Sequence, residues 1–470
     1  MAEVPKSRGR QSIDERFPLR RPLLEFAWEV CSRYCRDMSG RENVLHGDCV
    51  MGLKGNCIVA QSGGPTAVIN ASACGVVQEC MKHREIEGIY GAINGVLGIL
   101  NEEIFDFRDE SPSDIEGLKY TPAAAFGTSR YKLKSLEASR GDYARIMEVF
   151  KAHNIRYFFY AGGNDSMDTA DKIGRLAKEM GYEMRVMGIP KTVDNDLAFT
   201  DHCPGYGSVI KFNATAVMEA GRDTDAIYTS DTCTIFEAMG RNAGWIAGGT
   251  ALAKRDEEDA PHLIYMPEAA FSVEQFVEHC KEVLSKFGRL FIVAGEGLKD
   301  KDGKYLVAAD GAFAKDAFGH VQLGGAAEML RQIVERDVKV KARCNKLGTC
   351  QREAMHFASK TDRDEAYMCG QMAVKYAVEQ GVSGKMVSLV RESDAPYRCT
   401  TGLVTLADVA NAEKPVPREW INEKGNFVTE EFIRYARPLI QGEVAVPIEN
   451  GLPKYIRLRR KPMPQKCPPR

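Results

Sequence analysis

The chain has 470 residues, of which 44% are hydrophobic and 27% are charged. This composition is typical of a globular protein of two or three domains and argues against a disordered or fibrous chain. Lys and Arg total 63 against 65 for Asp and Glu, so no overall basic field favours nucleic acid or an anionic membrane as the main partner.

Three further features bear on where the protein works. The sequence contains no uninterrupted apolar run near the roughly 18 residues that a membrane-spanning helix requires. Residues 1–54 have no apolar core of the kind that a signal peptide needs. We expect these residues to form an N-terminal extension that packs on the protein or contacts another subunit. A targeting arm is the alternative. The 14 cysteines form no C-x-x-C pair, which favours reduced thiols in the cytoplasm over a disulfide framework or a zinc site.

From residue 55 onward, short apolar runs alternate with helical patterns. The predicted strands lie at 56–60, 156–163, 183–190, 233–240, 262–267 and 289–297. The predicted helices lie at 65–83, 164–180, 241–253 and 272–286. Strands that alternate with helices of this length predict an α/β fold. We expect two domains, each a mainly parallel sheet sandwiched by helices.

Three of the predicted strands end in unusual loops, where ligands bind in open α/β sheets. Paired glycines in residues 61–66 let a phosphate approach the backbone, although such a turn is more often only a tight connection. Residues 162–166 read Gly-Gly-Asn-Asp-Ser, which also suits a helix cap. Residues 189–196 place a lysine beside two aspartates, which indicates a base and a metal-linked carboxylate, with a solvated turn as the alternative.

Taken in order, these segments resemble the phosphofructokinase family, and specifically its pyrophosphate-dependent branch. The matching motifs are Ser62-Gly63-Gly64-Pro65, Gly127-Thr128-Ser129-Arg130, Gly162-Gly163-Asn164-Asp165-Ser166, Pro190-Lys191-Thr192-Val193-Asp194-Asn195-Asp196, Met239-Gly240-Arg241, Gly295-Glu296-Gly297, Arg343 and Leu347-Gly348-Thr349-Cys350-Gln351-Arg352. The resemblance implies Mg²⁺-dependent transfer of a phosphoryl group to the C1 hydroxyl of fructose 6-phosphate, which gives fructose 1,6-bisphosphate.

The resemblance also implies roles for individual residues. Asp194 would be the general base that takes the proton of the sugar hydroxyl. The residues expected to bind the sugar phosphate are Thr192, Asp194, Met239, Gly240, Arg241, Glu296, Arg343, Thr349 and Arg352. Gly64 would donate its N–H to the donor phosphate, and Arg130 would neutralise the transferring group. Mg²⁺ would be held by Asn164 and Asp196, although Asn164 replaces an acid found in most relatives and is a weaker ligand.

The choice of phosphoryl donor depends on Asp165 and Lys191, because the ATP-using branch has glycines at both places. The carboxylate of Asp165 would repel the α-phosphate of a nucleotide, and the ammonium of Lys191 would pair with the transferring phosphate. Pyrophosphate is therefore the predicted donor, and the reaction should be reversible. The alternatives are an ATP-dependent 6-phosphofructokinase and a catalytically weak regulatory subunit that binds sugar phosphate.

The expected organisation follows the same resemblance. It comprises the extension 1–54, a donor-binding domain at 55–205 joined by part of 352–420, a fructose 6-phosphate-binding domain at 206–351, and a C-terminal helix with a basic, loose tail at 421–470. In the family an arginine reaches across from a neighbouring subunit, which implies a homodimer or homotetramer. We expect the sugar phosphate and pyrophosphate as ligands, and neither nucleic acid nor a membrane as a partner.

Overall fold

A computed structural model of the chain describes residues 52–129, 131, 133–306, 325–410 and 412–470. The strands are β1 Gly55–Gln61, β2 Ile86–Ala92, β3 Ile104–Asp106, β4 Ile155–Gly162, β5 Arg185–Pro190, β6 Cys233–Ala238, β7 Leu263–Tyr265, β8 Leu290–Gly295, β9 Ala342–Lys346, β10 Lys385–Asp394, β11 Tyr397–Thr405, β12 Ile448–Glu449 and β13 Leu452–Pro453. The helices are α1 Ile69–Cys80, α2 Val96–Leu100, α3 Pro112–Gly117, α4 Arg140–Ala152, α5 Asn164–Glu179, α6 Tyr206–Ile227, α7 Trp245–Gly249, α8 Val273–Phe287, α9 Ala326–Ile333, α10 Cys350–Glu353, α11 Lys360–Glu379, α12 Leu406–Ala410 and α13 Glu430–Ala436.

The larger sheet has the strand order β11-β10-β5-β4-β1-β2-β3. Its five central strands are parallel, and antiparallel partners close both edges. Alternate side chains along β1 point to opposite faces: Val59 packs with residues of α1 and α11, while Ile58 packs with residues of α4 and α5. Strands buried on both faces in this way are typical of parallel sheets between helices.

The smaller sheet has the order β7-β8-β6-β9, with every pair parallel. Ile235 of β6 packs on the side of α8 and α9, and Phe236 packs on the side of α6 and α13. Trp245 is only 2% exposed and lies in this second cluster, as predicted for a packing residue. The expected fold class, with two mainly parallel sheets sandwiched by helices, is confirmed.

Each predicted strand and helix overlaps an observed element, but the sequence analysis did not identify the hairpin of β10 and β11. This hairpin lies about 200 residues after β5 in the chain, and yet β10 pairs with β5 in the larger sheet. The smaller sheet takes its strands from residues 233–346. The proposed domain boundaries remain a prediction, and residues 1–51 of the expected extension lie outside the described residues.

The C-terminal segment is not loose, and that prediction is wrong. The carboxylate of Glu110 accepts the backbone N–H groups of Arg459 and Arg460 at 2.9 and 2.7 Å. The carboxylate of Glu102, which is fully buried, accepts the N–H of Lys466 at 2.6 Å. The tail therefore supplies hydrogen bonds that two carboxylates of the larger sheet's edge require.

The cysteines within the described ranges are free thiols, which agrees with the expectation from their spacing. Among the helices that the structure describes, none has the length and apolar character needed to cross a membrane.

Candidate active site

The three strands that end in the predicted loops lie side by side in the larger sheet. β1, β4 and β5 are parallel neighbours, so their carboxyl ends meet at one edge. The N–H of Ser62, after β1, donates to the carbonyl of Ala161 at 2.9 Å, and the N–H of Lys191, after β5, donates to Gly162 at 3.2 Å. The sheet therefore brings the three loops to one place.

The side chain of Lys191 is buried between these loops. It is 4% exposed, and its Nζ donates to the carbonyl oxygen of Gly64 at 2.9 Å. Burial, helped by the nearby guanidinium of Arg352, lowers the pKa of Lys191 to about 8. No carboxylate of the described residues lies within ion-pair distance of this ammonium, which has two further N–H donors available for an anion.

Two carboxylates follow Lys191 in the same loop, and both are partly buried. Burial raises the pKa of Asp194 to about 6, and the negative charge of Glu296 adds to this, while Arg241 acts in the opposite direction. Burial and the charge of Asp194 raise the pKa of Asp196 to about 7. Carboxylates whose ionised form is disfavoured in this way are suited to accept a proton or to bind a cation.

Asn195 anchors the turn between these aspartates, and the sequence analysis gave it no role. It is fully buried and has a φ of 56°, in the left-handed region. Its Nδ2 donates to the hydroxyl of Tyr435 at 2.9 Å, and its Oδ1 accepts the N–H of Cys203 at the same distance. Cys203 lies eight residues later and Tyr435 lies 240 residues later, so the sequence signal was only an asparagine between two acids.

The ends of β6 and β8 carry residues expected to bind the sugar, and their loops are in contact. The N–H of Gly240 donates to the carboxylate of Glu296 at 3.2 Å. Gly240 has a φ of 116°, a conformation that favours glycine. A Cβ at Gly297 would lie 1.7 Å from the carbonyl oxygen of Arg241, so only glycine fits there.

Residues 413 and 414 touch both sets of loops. The N–H of Lys414 donates to the carbonyl of Asp196 at 2.8 Å, and the carboxylate of Glu413 accepts from Nδ2 of Asn242 at 3.1 Å. The loop after β6 therefore lies beside the aspartate loop.

A cavity of about 390 Å³ opens at this edge of the smaller sheet. Its lining residues are Glu237, Ala238, Met239, Glu296, Gly325, Lys346, Gly348 and Gln351. Of the described residues that line it, Lys346 alone carries a positive charge, and it stands beside two carboxylates. The cavity has the size of a small-molecule site, and its lining offers carboxylates for hydroxyl groups and an ammonium for an anion.

Lys346 and Arg343 lie towards opposite ends of β9. Arg343 is in register with Thr234 near the start of β6 and forms an ion pair with Asp231, away from the cavity. Lys346 is in register with Glu237 near the end of β6, where the cavity opens. Lys346 was not among the predicted site residues, although it directly precedes the motif that begins at Leu347. The structure does not bring Arg343 to the site of its own chain.

Gln351 fixes the motif that carries Arg352. Its side-chain oxygen accepts the N–H of Met239 at 3.1 Å and the Nδ2 of Asn213 at 2.8 Å. The guanidinium of Arg352 lies against the first loop, since a Cβ on Gly64 would be 2.8 Å from its Nη1. Arg352 thus lies between the two groups of loops. Thr349 precedes α10 and is exposed.

The remaining predicted residues begin α5 or lie outside the description. The side-chain nitrogen of Asn164 donates to the carbonyl of Ala412 at 3.0 Å. Asp165 occupies the first turn of α5, beside the end of β4. Arg130 lies outside the described residues. The structure therefore brings the carboxyl edges of the two sheets together, with the donor loops and the two aspartates at the larger sheet and the sugar loops at the smaller one. The roles given to individual residues stay predictions.

Comparison with known proteins gives a consistent result. The family model described as phosphofructokinase matches residues 56–377. A curated relative from Halomonas elongata, named pyrophosphate–fructose 6-phosphate 1-phosphotransferase, is 46% identical over 88% of this chain and 98% of its own length. A relative of the same name from Methylococcus capsulatus is 43% identical over 87% of this chain and 97% of its own.

Solved structures show the same similarity in three dimensions. A pyrophosphate-dependent phosphofructokinase from Marinobacter aquaeolei superimposes with a TM-score of 0.80 at 40% identity, covering 88% of this chain and 99% of the other. The corresponding protein from Nitrosospira multiformis gives a TM-score of 0.81 at 40% identity, with the same coverage.

Proposed function

This chain belongs to the phosphofructokinase family, and we propose that it transfers a phosphoryl group from pyrophosphate to the C1 hydroxyl of fructose 6-phosphate. The products are fructose 1,6-bisphosphate and phosphate.

The observation that carries the proposal is the buried ammonium of Lys191, held by the carbonyl of Gly64 beside Asp194. An alcohol needs a base, and a transferring phosphoryl group needs fixed positive charge. The names of the relatives support the same reaction. Since an anhydride is exchanged for an ester of similar energy, the reaction is reversible.

The predicted site residues divide into two sets. Asp194 takes the proton of the C1 hydroxyl, and Lys191 pairs with the transferring phosphate. The other residues assigned to the donor are Gly64, Arg130 and Asp165. The other residues assigned to the sugar phosphate are Thr192, Met239, Gly240, Arg241, Glu296, Arg343, Thr349 and Arg352. We assign the strands between 55 and 205, with part of 352–420, to donor binding and 206–351 to the sugar phosphate.

Mg²⁺ is the cofactor that we propose, and the donor atoms fit a hard cation. Asp196 and Asn164 would hold it. The side-chain nitrogen of Asn164 is used by Ala412, which leaves the amide oxygen for a cation. The raised pKa of Asp196, caused by burial and by the charge of Asp194, reflects negative charge that a divalent ion would neutralise. When bound, Mg²⁺ neutralises charge on the donor phosphates.

We also propose a homodimer or homotetramer whose site is shared between subunits, working in the cytoplasm. Arg343 is 47% exposed and lies away from the cavity of its own chain. Arginine is well suited to bind a phosphate, so an exposed Arg343 can serve the site of a second copy.

A donor assay tests the proposed function. The purified chain is supplied with fructose 6-phosphate and either pyrophosphate or ATP, with and without Mg²⁺, and fructose 1,6-bisphosphate is followed by a coupled reaction. We expect turnover with pyrophosphate that depends on Mg²⁺, and much slower turnover with ATP. Faster turnover with ATP would contradict the donor assignment. Binding of the sugar phosphate without any turnover would instead indicate a regulatory subunit.

Lys346 is expected to bind the phosphate of the sugar, because it supplies the positive charge of the described cavity lining. Lys346→Met should raise KM for fructose 6-phosphate about tenfold or more and change kcat little, since the contact is present in both ground and transition states. Lys281→Met is the matched control, because Lys281 is exposed on α8 and lies outside the cavity lining. Equal KM values for Lys346→Met and the wild type would show that the phosphate binds elsewhere.

A further inference from the structure

Three side chains on two neighbouring helices converge at the other edge of the larger sheet. Glu79 lies at the end of α1, His83 lies four residues later, and Glu379 ends α11. Because helices run antiparallel to the strands they connect, these ends lie at the edge opposite the candidate active site. One imidazole nitrogen and two carboxylate oxygens lie within 4.8 Å of one another. We propose that these three residues bind one Zn²⁺ ion.

The side chain of His83 offers its Nε2 atom to this group. This atom is buried and has no hydrogen-bond partner among the described residues. It lies 3.7 Å from Oε1 of Glu79 and 3.9 Å from Oε1 of Glu379. Both separations are too long for a hydrogen bond. Two ligands at zinc distances around a tetrahedral ion are about 3.4 Å apart, so small movements would bring all three atoms to one ion.

Glu79 is already held in position by two hydrogen bonds. Its Oε2 accepts from Nζ of Lys82 at 2.6 Å and from Nε2 of Gln371 at 3.1 Å. Its Oε1 is therefore fixed towards His83, as hydrogen-bonded carboxylate ligands commonly are in metal sites. Lys82 pairs with Oε2, which neutralises one carboxylate charge and leaves Oε1 for the ion. Glu379 is 51% exposed, so an ion can enter from solvent and keep a water as a further ligand.

The donor types select the ion. One imidazole with two carboxylates is a set that Zn²⁺ binds well, whereas Mg²⁺ prefers oxygen ligands alone. A second group among the described residues consists of His202, Glu365 and Cys399. This group does not support a metal site. Both ring nitrogens of His202 are hydrogen-bonded, to Asp201 at 2.7 Å and to Glu365 at 2.6 Å, so no partner is missing.

The test uses the full chain after treatment with a chelator, in buffer without pyrophosphate. Zn²⁺ is titrated by calorimetry, and the unfolding midpoint is measured with and without the ion. We expect one tight equivalent per chain and a rise of the midpoint, because the ion joins the ends of α1 and α11. His83→Gln and Glu379→Gln should each weaken binding at least about tenfold. Glu379 is exposed, so its variant should fold even if that of His83 does not.

His356→Gln is the control, because His356 is an exposed histidine outside this group and should leave the titration unchanged. Cysteine thiols can also take up Zn²⁺. The deciding measurement is therefore the difference in Zn²⁺ affinity between the wild type and the variants. Equal affinity and stoichiometry in the wild type, His83→Gln and Glu379→Gln would place the ion on thiols or at the proposed Mg²⁺ site and would overturn the proposal. Absence of any Zn²⁺ binding would overturn it as well and would leave a water between the three groups.

Discussion

Asp194→Asn is expected to lower kcat with pyrophosphate by about 100- to 10,000-fold, the usual contribution of a general base. An amide has nearly the shape of the carboxylate but cannot take the proton of the C1 hydroxyl. Burial and the charge of Glu296 raise the pKa of Asp194, so losing its negative charge should not unfold the loop. Both the rate and the binding of fructose 6-phosphate should be measured, and we expect the sugar phosphate still to bind.

Asp302→Asn is the matched control, since Asp302 lies in an exposed turn and the variant makes the same change of charge and size. Its kcat should equal that of the wild type. A variant of Asp194 with nearly normal kcat would remove this residue from the chemistry. Equal unfolding midpoints of the three proteins would show that a loss of rate is not a loss of structure.

The fold was predictable from the sequence where burial is continuous. The run of apolar residues in β1 and β4 is covered on both faces, and runs of that kind alternate with amphipathic helices such as α5. The hairpin of β10 and β11 was not predictable, because β11 mixes polar with apolar residues and its partner strand depends on the tertiary fold. The tail was missed because its anchors, Glu102 and Glu110, lie about 350 residues away in the sequence.

Prediction of the candidate site from the sequence was limited in the same way. The loops at residues 61–66 and 189–196 were found because they match motifs of the phosphofructokinase family in order, whereas their residue types alone left a tight connection and a solvated turn as alternatives. The direction of Arg343 and Lys346 depends on the register of β9 against β6, which no local pattern gives. Asn195 acts through Tyr435, which lies 240 residues later. Long-range partners of this kind become visible only in three dimensions.

The double variant Asp165→Gly with Lys191→Gly is expected to lose pyrophosphate activity by about 100- to 1,000-fold, as when a fixed charge or donor is removed from a phosphate or oxyanion site. In the wild type the buried ammonium lies 2.9 Å from the carbonyl of Gly64. Its removal creates space and takes away positive charge at this place. Removal of the Asp165 carboxylate at the start of α5 ends the repulsion of an α-phosphate. The ratio of kcat/KM for ATP to that for pyrophosphate should therefore rise.

Lys191→Met separates charge from volume in the same experiment. It keeps most of the side chain beside Gly64 and so should lose pyrophosphate turnover without gaining ATP turnover, whereas the double variant should show both changes. If the double variant kept its preference for pyrophosphate, the donor would be selected by residues other than these two. If Lys191→Met turned over pyrophosphate at the wild-type rate, the buried ammonium would serve only to hold the first loop. The positive charge that stabilises the transferring phosphate would then have to come from Arg352, because its guanidinium lies against the same glycine, Gly64.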